Sequence, residues 1–559
     1  MRTSSVRIVA GISCLLFGAA AWRLGPHSVS DFAAHAQTSQ SAKPASAAVP
    51  VYQPASASIP TTQPPSIPDL KLAIAPGTEV YTAKRGESIA TVAHHYLGQT
   101  AYLTSSELAA AIRGVNHIPD STSFLKANQH ITIPGILAAP ILEHTISVPR
   151  DFEVRAVYLT GVMAGSDHGL RIIRQWRSVG GNAVVFDIKD SDGSVNVPFE
   201  HPLLGEHHIY IHDVPKFVHF LHQQNMHAIA RIAIFRDEHL VVNHPDLAVQ
   251  SRKNHTAWRE NGKLVWTDPS NPKVQDYNIA LAKHVAQLGV DEIQFDYVRF
   301  PAEGDQKDAM FGFQKDQPEF TPAEQNSCGD GRLVRPAKAK RGGTVPTAGT
   351  KGLGPSPKPC TAAPHGLQRS DIIAGFIKKA YGELHPTGVL LSLDVFGVMA
   401  WQRQVDLSHT GQDIVQMAKY CDVLSPMIYP SHFFGMDNIP HPGDEPAHFI
   451  GESMDRFMLI TKGSGVVIRP WLQAFHWRTK TYSPEYIKIQ VETARTKGGI
   501  GFLFWNAAND YSKPFIAMPE MKAQNYKDAS NKERPKDNPR FFRGDELPAP
   551  TVQASVTGN

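Results

Sequence analysis

The chain has 559 residues, 42% hydrophobic and 19% charged, so it carries apolar material for a large core and is not disordered throughout. At roughly 150 residues per domain, that length allows several folded units. Lys and Arg number 55 against 52 Asp and Glu, a formal charge of +3 that gives no electrostatic basis for nucleic acid as a partner.

Arg2 and Arg7 precede the apolar run Ile8 to Trp22, and Arg23 closes it. A run this short suits a secretory signal better than a membrane span, which needs about 20 residues. Ala34-His35-Ala36 offers a small-residue cleavage site. Residues 1–36 are therefore expected to be a signal peptide or, if uncleaved, an N-terminal membrane anchor. Either way the body of the chain is expected to be exported: periplasmic, in the cell envelope or extracellular. Residues 37–69 are Ala, Ser, Pro, Thr and Gln with almost no charge, and they read as a disordered linker. Export permits disulfides. Cys328 and Cys360 flank a polar insertion that a bridge would staple, while Cys421 lies in an apolar stretch and reads as a buried free thiol. No Cys/His spacing suggests zinc, and no metal or cofactor is expected.

A small unit follows over 78–136. Val80-Tyr81-Thr82 reads as a strand, Ile89 to Tyr96 as a helix capped by Gly86-Glu87-Ser88, Ser106 to Arg113 as a second helix, and Ile131-Thr132-Ile133-Pro134 as a closing strand. With Ala93 on the first helix and Asn116 after the second, this order resembles a LysM module. The family usually has Pro-Gly before the last strand, where this chain has Ala127-Asn128. Asn tolerates the left-handed backbone best after Gly, so the turn is feasible there. The resemblance implies binding of peptidoglycan or another N-acetylglucosamine-containing glycan. A small packing module without a ligand is the alternative.

From 150 to 522, apolar strand-like runs alternate with amphipathic helices. The predicted strands are Val154–Gly161, Ala183–Asp190, His227–Phe235, Asp291–Pro301, Val389–Met399, Asp422–Pro430, Val466–Trp477 and Gly499–Asn506. The predicted helices include Leu170–Val179, Val214–Gln224, Val274–Leu288, Asp371–His385 and Pro484–Thr496. Eight strand–helix units predict an α/β fold that closes as a (β/α)8 TIM barrel, with a doubly wound open sheet as runner-up. A disordered insertion is expected over 304–366 and a disordered tail over 523–559.

The site of such a barrel lies at the C-terminal ends of its strands. Strands buried on both faces should be nearly all apolar, so polar residues near those ends need another reason. The second strand ends in Asp187-Ile188-Lys189-Asp190, the fourth holds Gln294 and Asp296 before Arg299, and the fifth holds Ser392 and Asp394. Alternation puts Gln294 with Asp296, and Ser392 with Asp394, on the lumen side. Two carboxylates on neighbouring strands repel and lose hydration, so stability alone does not select them. Trp401, Tyr429, Trp471, Trp477 and Trp505 lie at the same level, where flat sugar faces can stack. Gln473, His476, Asn506 and Asn509 are placed to meet hydroxyls. Paired acids suit glycoside hydrolysis, one protonating the leaving oxygen while the other attacks or activates water. Neighbouring strands hold side chains about 5 Å apart, which favours retention of configuration.

The segments Val154 to Gly161, Phe186 to Asp190, Phe295 to Pro301, Ser425 to Pro430 and Gly501 to Asn506 resemble a bacterial TIM-barrel family classed with the glycoside hydrolases. That resemblance spans Arg150 to Tyr511. In related barrels the acid ending strand four is the nucleophile, which implies that role for Asp296. Their general acid is often a Glu on strand five, where this chain has Asp394; Asp187 and Glu303 are its substitutes. The expectation is an exported glycosidase on cell-wall or extracellular polysaccharide, with Asp187 and Arg299 orienting the pair. The alternatives are a non-catalytic glycan-binding envelope protein and, more weakly, a metal-dependent deacetylase, since no His-x-His ends the first strand.

Overall fold

The computed structural model describes residues 77–314 and 366–523. The predicted signal or anchor, the linker, most of the insertion with Cys328 and Cys360, and the tail beyond residue 523 lie outside the described residues.

The N-terminal unit runs β1 (Gly77–Thr82), α1 (Ile89–Tyr96), α2 (Ser105–Asn116) and β2 (His130–Ile136), with β1 antiparallel to β2. Ser88 caps α1 by accepting from the Thr91 amide, and Thr104 caps α2 from the Glu107 amide. One face of each helix buries Ile89, Val92, Leu108 and Ile112 against Ile131 and Ile133. Asn116 ties the end of α2 to β2: its amide donates to the carbonyls of Ile112 and Thr132 and accepts from the Thr132 N–H, each at 2.8 Å. Asn128 takes the left-handed conformation the turn requires, with φ 61°. The unit is clamped to the barrel helices by Glu107–Arg174 at 2.5 Å and by Lys216 Nζ donating to the carbonyl of Leu97 at 3.0 Å.

Eight parallel strands close a barrel in chain order: β3 (Arg155–Leu159), β4 (Ala183–Lys189), β5 (His227–Ala233), β6 (Glu292–Asp296), β7 (Leu390–Phe396), β8 (Val423–Ile428), β9 in two pieces (Val467–Ile468 and Trp471–Gln473) and β10 (Phe502–Trp505), which pairs back onto β3. The larger helices around it are α3 (Asp167–Ser178), α4 (Val214–Gln223), α5 (Pro272–Ala286), α6 (Arg369–Leu384), α7 (Pro446–Ile460), α8 (Pro484–Thr496) and α9 (Ser512–Ala523). The fold is the (β/α)8 barrel expected from the alternating pattern. Outward side chains such as Val157, Phe186, Ile232 and Phe295 pack under the helices, whereas Ala156, Val185, Ile229 and Leu503 fill the lumen.

Several predicted boundaries are corrected. The fourth strand stops at Asp296 instead of Pro301, because Tyr297 turns left-handed with φ 53°. The fifth stops at Phe396 and passes into a 3-10 turn, and the seventh breaks around Pro470, which has no N–H for the ladder. Residues 304–314, read as the start of the disordered insertion, are ordered. Ala309–Met310 pairs antiparallel with Gln250–Ser251, and Phe311 is fully buried. Cys421 is buried and free.

The segment leading into β3 closes the lower end of the barrel. Ile146, Val148 and Phe152 join the lumen residues, and the Ile146 N–H donates to Asp291 at 2.7 Å. Glu143 pairs with His219 at 2.7 Å and His222 at 3.3 Å, and His222 also meets Asp291 at 2.9 Å. Burial pulls the His222 pKa down, but Asp291 and Glu143 outweigh it and hold it at about 9. A histidine pKa raised on folding contributes stability fully below the unfolded value of about 6.5, lost as pH rises through about 9. Replacing His222 by Ala is therefore expected to lower the Tm by about 3–6 °C at pH 6. The gap from wild type should close above pH 9, which thermal melts across that range would check.

Candidate active site

Alternation along the strands sends Tyr158 (β3), Asp187 (β4), Arg231 (β5), Gln294 and Asp296 (β6), Asp394 (β7) and Trp471 (β9) into the upper lumen. Register places Asp187 beside Arg231, Arg231 beside Gln294, and Gln294 beside Ser392. The Arg231 guanidinium is the hub. Its Nη1 donates to Asp187 Oδ1 and its Nη2 to Asp296 Oδ2, both at 2.5 Å, and its Nε lies 3.9 Å from Asp394 Oδ2. Burial works against that charge, but the acids, Asp187 and Asp296 first, outweigh it and hold its pKa above the usual guanidinium value.

One cation cannot neutralise every acid around it. Asp394 Oδ1 accepts from Trp471 Nε1 at 2.6 Å and Gln294 Nε2 at 2.9 Å, while its Oδ2 is buried without a hydrogen-bond partner. Burial, and then the neighbouring Asp296, push the Asp394 pKa well above its ordinary value. Asp187 accepts from the Tyr158 hydroxyl, and burial, followed by the Asp187 charge, raises the pKa of Asp190, just beyond β4, to about 9. Glu303 lies apart, on the loop after β6. Asn261 Nδ2 donates to it at 3.1 Å, and burial followed by the nearby Glu260 raises its pKa to about 8.

The structure brings Asp187, Asp296 and Asp394 together around Arg231. Arg299 is held among the rings of Trp266, Phe396 and Tyr297, at 4.7, 4.5 and 5.4 Å, and donates to the Phe300 carbonyl. Tyr429 stacks on Trp505 (5.7 Å, 27°), with Phe475 edge-on to both; this aromatic group sits over the strand ends. Trp471 lies beneath it, fully buried, bound to Asp394 through its indole N–H. Gln473 is buried, accepts from the Ser431 N–H at 3.2 Å and donates to the Phe475 carbonyl at 3.0 Å. Asn506 donates to the carbonyls of Ala474 and Asp510 and accepts from the Ala508 N–H. These two amides hold loop backbone. His476 is exposed, bonds the Thr479 carbonyl and stacks on Tyr482. Trp401 packs against Phe433 and Arg456, and Trp477 against His432.

Sequence reasoning passed over Arg231, Tyr158 and Phe475 as site residues. Arg231 left a signal: it is the one charge in Ile229-Ala230-Arg231-Ile232-Ala233, at lumen parity in a strand buried on both faces. A shallow hollow of about 440 Å³, bordered by Asp276, Lys283 and Glu383, lies on the outer helix layer. It holds none of the acids at the barrel mouth.

Barrel and mouth together define a (β/α)8 protein with a carboxylate site at the C-terminal ends of its strands. The family model described as "Putative glycosyl hydrolase domain" matches residues 156–511, and the chain belongs to that family. No curated protein matches the chain. Among solved structures, a hypothetical protein from Ruminiclostridium thermocellum ATCC 27405 is similar at 30% identity, covering 43% of this chain and 97% of its own, with a TM-score of 0.31. The PgaB (BpsB) glycoside hydrolase domain from Bordetella bronchiseptica is similar at 13% identity, covering 66% of this chain and 99% of its own, with a TM-score of 0.44. The spore cortex-lytic enzyme SleL from Bacillus megaterium QM B1551 is similar at 11% identity, covering 78% and 85%, with a TM-score of 0.35.

Proposed function

We propose that the protein is an exported glycosidase acting on cell-wall or extracellular polysaccharide, with residues 78–136 serving as a LysM-like glycan-binding module. The observation that carries the catalytic reading is the single guanidinium of Arg231 gathering Asp187, Asp296 and Asp394 at one barrel mouth. Of the three, Asp296 is the most open, 8% exposed against 0% for Asp187 and 1% for Asp394. Asp296 is therefore the carboxylate that meets the anomeric carbon, and a protonated carboxyl group supplies the leaving oxygen with its proton. The upward shift of the Asp394 pKa suits it to that role, and its place on the strand next to Asp296, about 5 Å away by strand spacing, points to a retaining reaction. Tyr429, Trp505 and Phe475 offer C–H faces of the sugar a platform.

The module reading is supported by its strand, helix, helix, strand order, by Asn116 bridging α2 to β2, and by the left-handed Asn128. Its clamp engages Lys216 in the first turn of α4, the end of that helix nearest the mouth.

A polysaccharide panel tests this reading, with release of new reducing ends as the readout and NMR of the first-formed anomer. Turnover with retained configuration is expected. Glycan binding without release across the panel overturns the enzymatic reading in favour of a non-catalytic envelope protein, and an inverted product overturns the covalent role of Asp296.

A further inference from the structure

We infer that Trp471 and Gln294 are positioning residues that fix the Asp394 carboxyl group for the reaction proposed above, an inference that rests on that glycosidase reading. Both side chains aim a donor at the same oxygen. Trp471 Nε1 lies 2.6 Å from Asp394 Oδ1, and Gln294 Nε2 lies 2.9 Å from it. Gln294 comes from β6, next to β7, and Trp471 from β9, two strands away on the other side. Held from both sides of its strand, the carboxyl group cannot turn without losing a donor. Its second oxygen, Oδ2, stays toward Arg231, whose Nε is 3.9 Å away and whose Nη2 binds Asp296.

The indole of Trp471 is 2% exposed, so it offers no ring face to a sugar. Its N–H is the part left to act. A buried indole N–H needs a partner, and a backbone carbonyl suffices. Trp176, equally buried under the helices, donates to the Arg155 carbonyl at 3.0 Å. Trp471 instead donates to a carboxyl group of the site. Gln294 behaves alike. The bond to Asp394 is the one side-chain hydrogen bond it makes among the described residues, and its Oε1 is buried without a partner. An amide buried with one end unpaired destabilises the lumen, so stability alone does not select glutamine there.

The donors are themselves held. Trp471 is in register with Met427 of β8 and Leu503 of β10, and its ring stands edge-on to Tyr158 at 6.3 Å and 77°. The Tyr158 carbonyl accepts from the Tyr511 hydroxyl at 2.6 Å, and the Tyr158 ring lies 5.6 Å from the Arg231 guanidinium. Gln294 is in register with Arg231 on β5 and Ser392 on β7. Contacts thus run round the lumen from Asp394 through Trp471 and Tyr158 to Arg231, and back to Asp394.

The test compares wild type with Trp471→Phe, which keeps an aromatic ring and removes the N–H, and Gln294→Met, which keeps the length and removes the donor. Each should lower kcat on a responsive glycan about 10–100-fold, with KM within about threefold. In an Asp394→Ala background the same substitutions should cost less than about threefold, because the group they position is gone. Burial and Asp296 raise the Asp394 pKa, and the Trp471 hydrogen bond draws it back down. In Trp471→Phe the limb of the pH profile that Asp394 governs should therefore move to higher pH, with the charges of Arg231, Asp296 and Glu292 still in place. Unchanged turnover, a raised KM at unchanged kcat, or full additive losses in the Asp394→Ala background overturn the inference. Either variant alone carries the test if the other does not fold. Carboxyl NMR titration of the full chain reads the hold without activity, and the Asp394 signal should titrate at higher pH in Trp471→Phe. A wild type that cleaves nothing overturns the glycosidase reading and the catalytic purpose of the hold with it. An active wild type whose Asp394 signal is unmoved by Trp471→Phe overturns the hold alone.

Discussion

Asp296→Asn is expected to remove turnover almost completely, by about 10⁴-fold or more, while leaving the fold intact. The two halves of that expectation have different physical origins. The carboxylate is lost, and an amide neither attacks an anomeric carbon nor activates water for the attack. The shape is kept, and the amide oxygen still accepts either from the Tyr297 N–H, now at 2.6 Å from Oδ1, or from Arg231. One of those two donors goes without its partner, so a stability loss of about 1–3 kcal/mol is expected. Steady-state kinetics on the responsive glycan, beside a denaturation curve, separates the two effects. Unchanged turnover would remove Asp296 from the chemistry, and loss of the folded state would make the variant uninformative about catalysis but diagnostic of the ion cluster.

The barrel was legible because a parallel strand covered on both faces must be apolar, and each such run is followed by a helix with one apolar stripe. The same rule exposed Asp187, Asp296 and Asp394 as exceptions. Their gathering point was harder to see. Arg231 comes from a strand whose other residues after His227 are Ala and Ile, and its reach across to β4 and β6 depends on the closed register. Strand ends overshot for a local reason. Tyr297-Val298-Arg299-Phe300 is as apolar and aromatic as a strand, yet Tyr297 turns left-handed and its ring packs against Arg299 instead. Gln473 and Asn506 carry the polar groups a sugar site wants, but the backbone of their own loops uses them, which composition does not reveal. The ordering of Ala309–Met310 depends on Gln250–Ser251, far away in the chain, so no local pattern announces it.

Arg231→Met should cost more stability than any substitution among the acids, about 3–5 kcal/mol at neutral pH. Methionine fills much of the arginine stem's volume, so the loss is electrostatic more than steric. Without the guanidinium, the carboxylates of Asp187 and Asp296 face each other across a buried space with no cation between them. Their charged forms are then disfavoured, and the variant gains stability relative to wild type wherever protons remove those charges. The difference from wild type is therefore largest near pH 7 and narrows as pH falls toward 4, which denaturant titrations at the two pH values would show. A gap independent of pH would mean that Arg231 acts by packing, for example against the Tyr158 ring 5.6 Å away. Arg231→Lys should recover only part of the loss, since one ammonium cannot fork to two carboxylates on separate strands. The same substitution should disturb catalysis beyond its effect on folding. With the hub gone, nothing fixes which acid keeps its proton, and the pH profile of any remaining turnover should shift along with the stability curve.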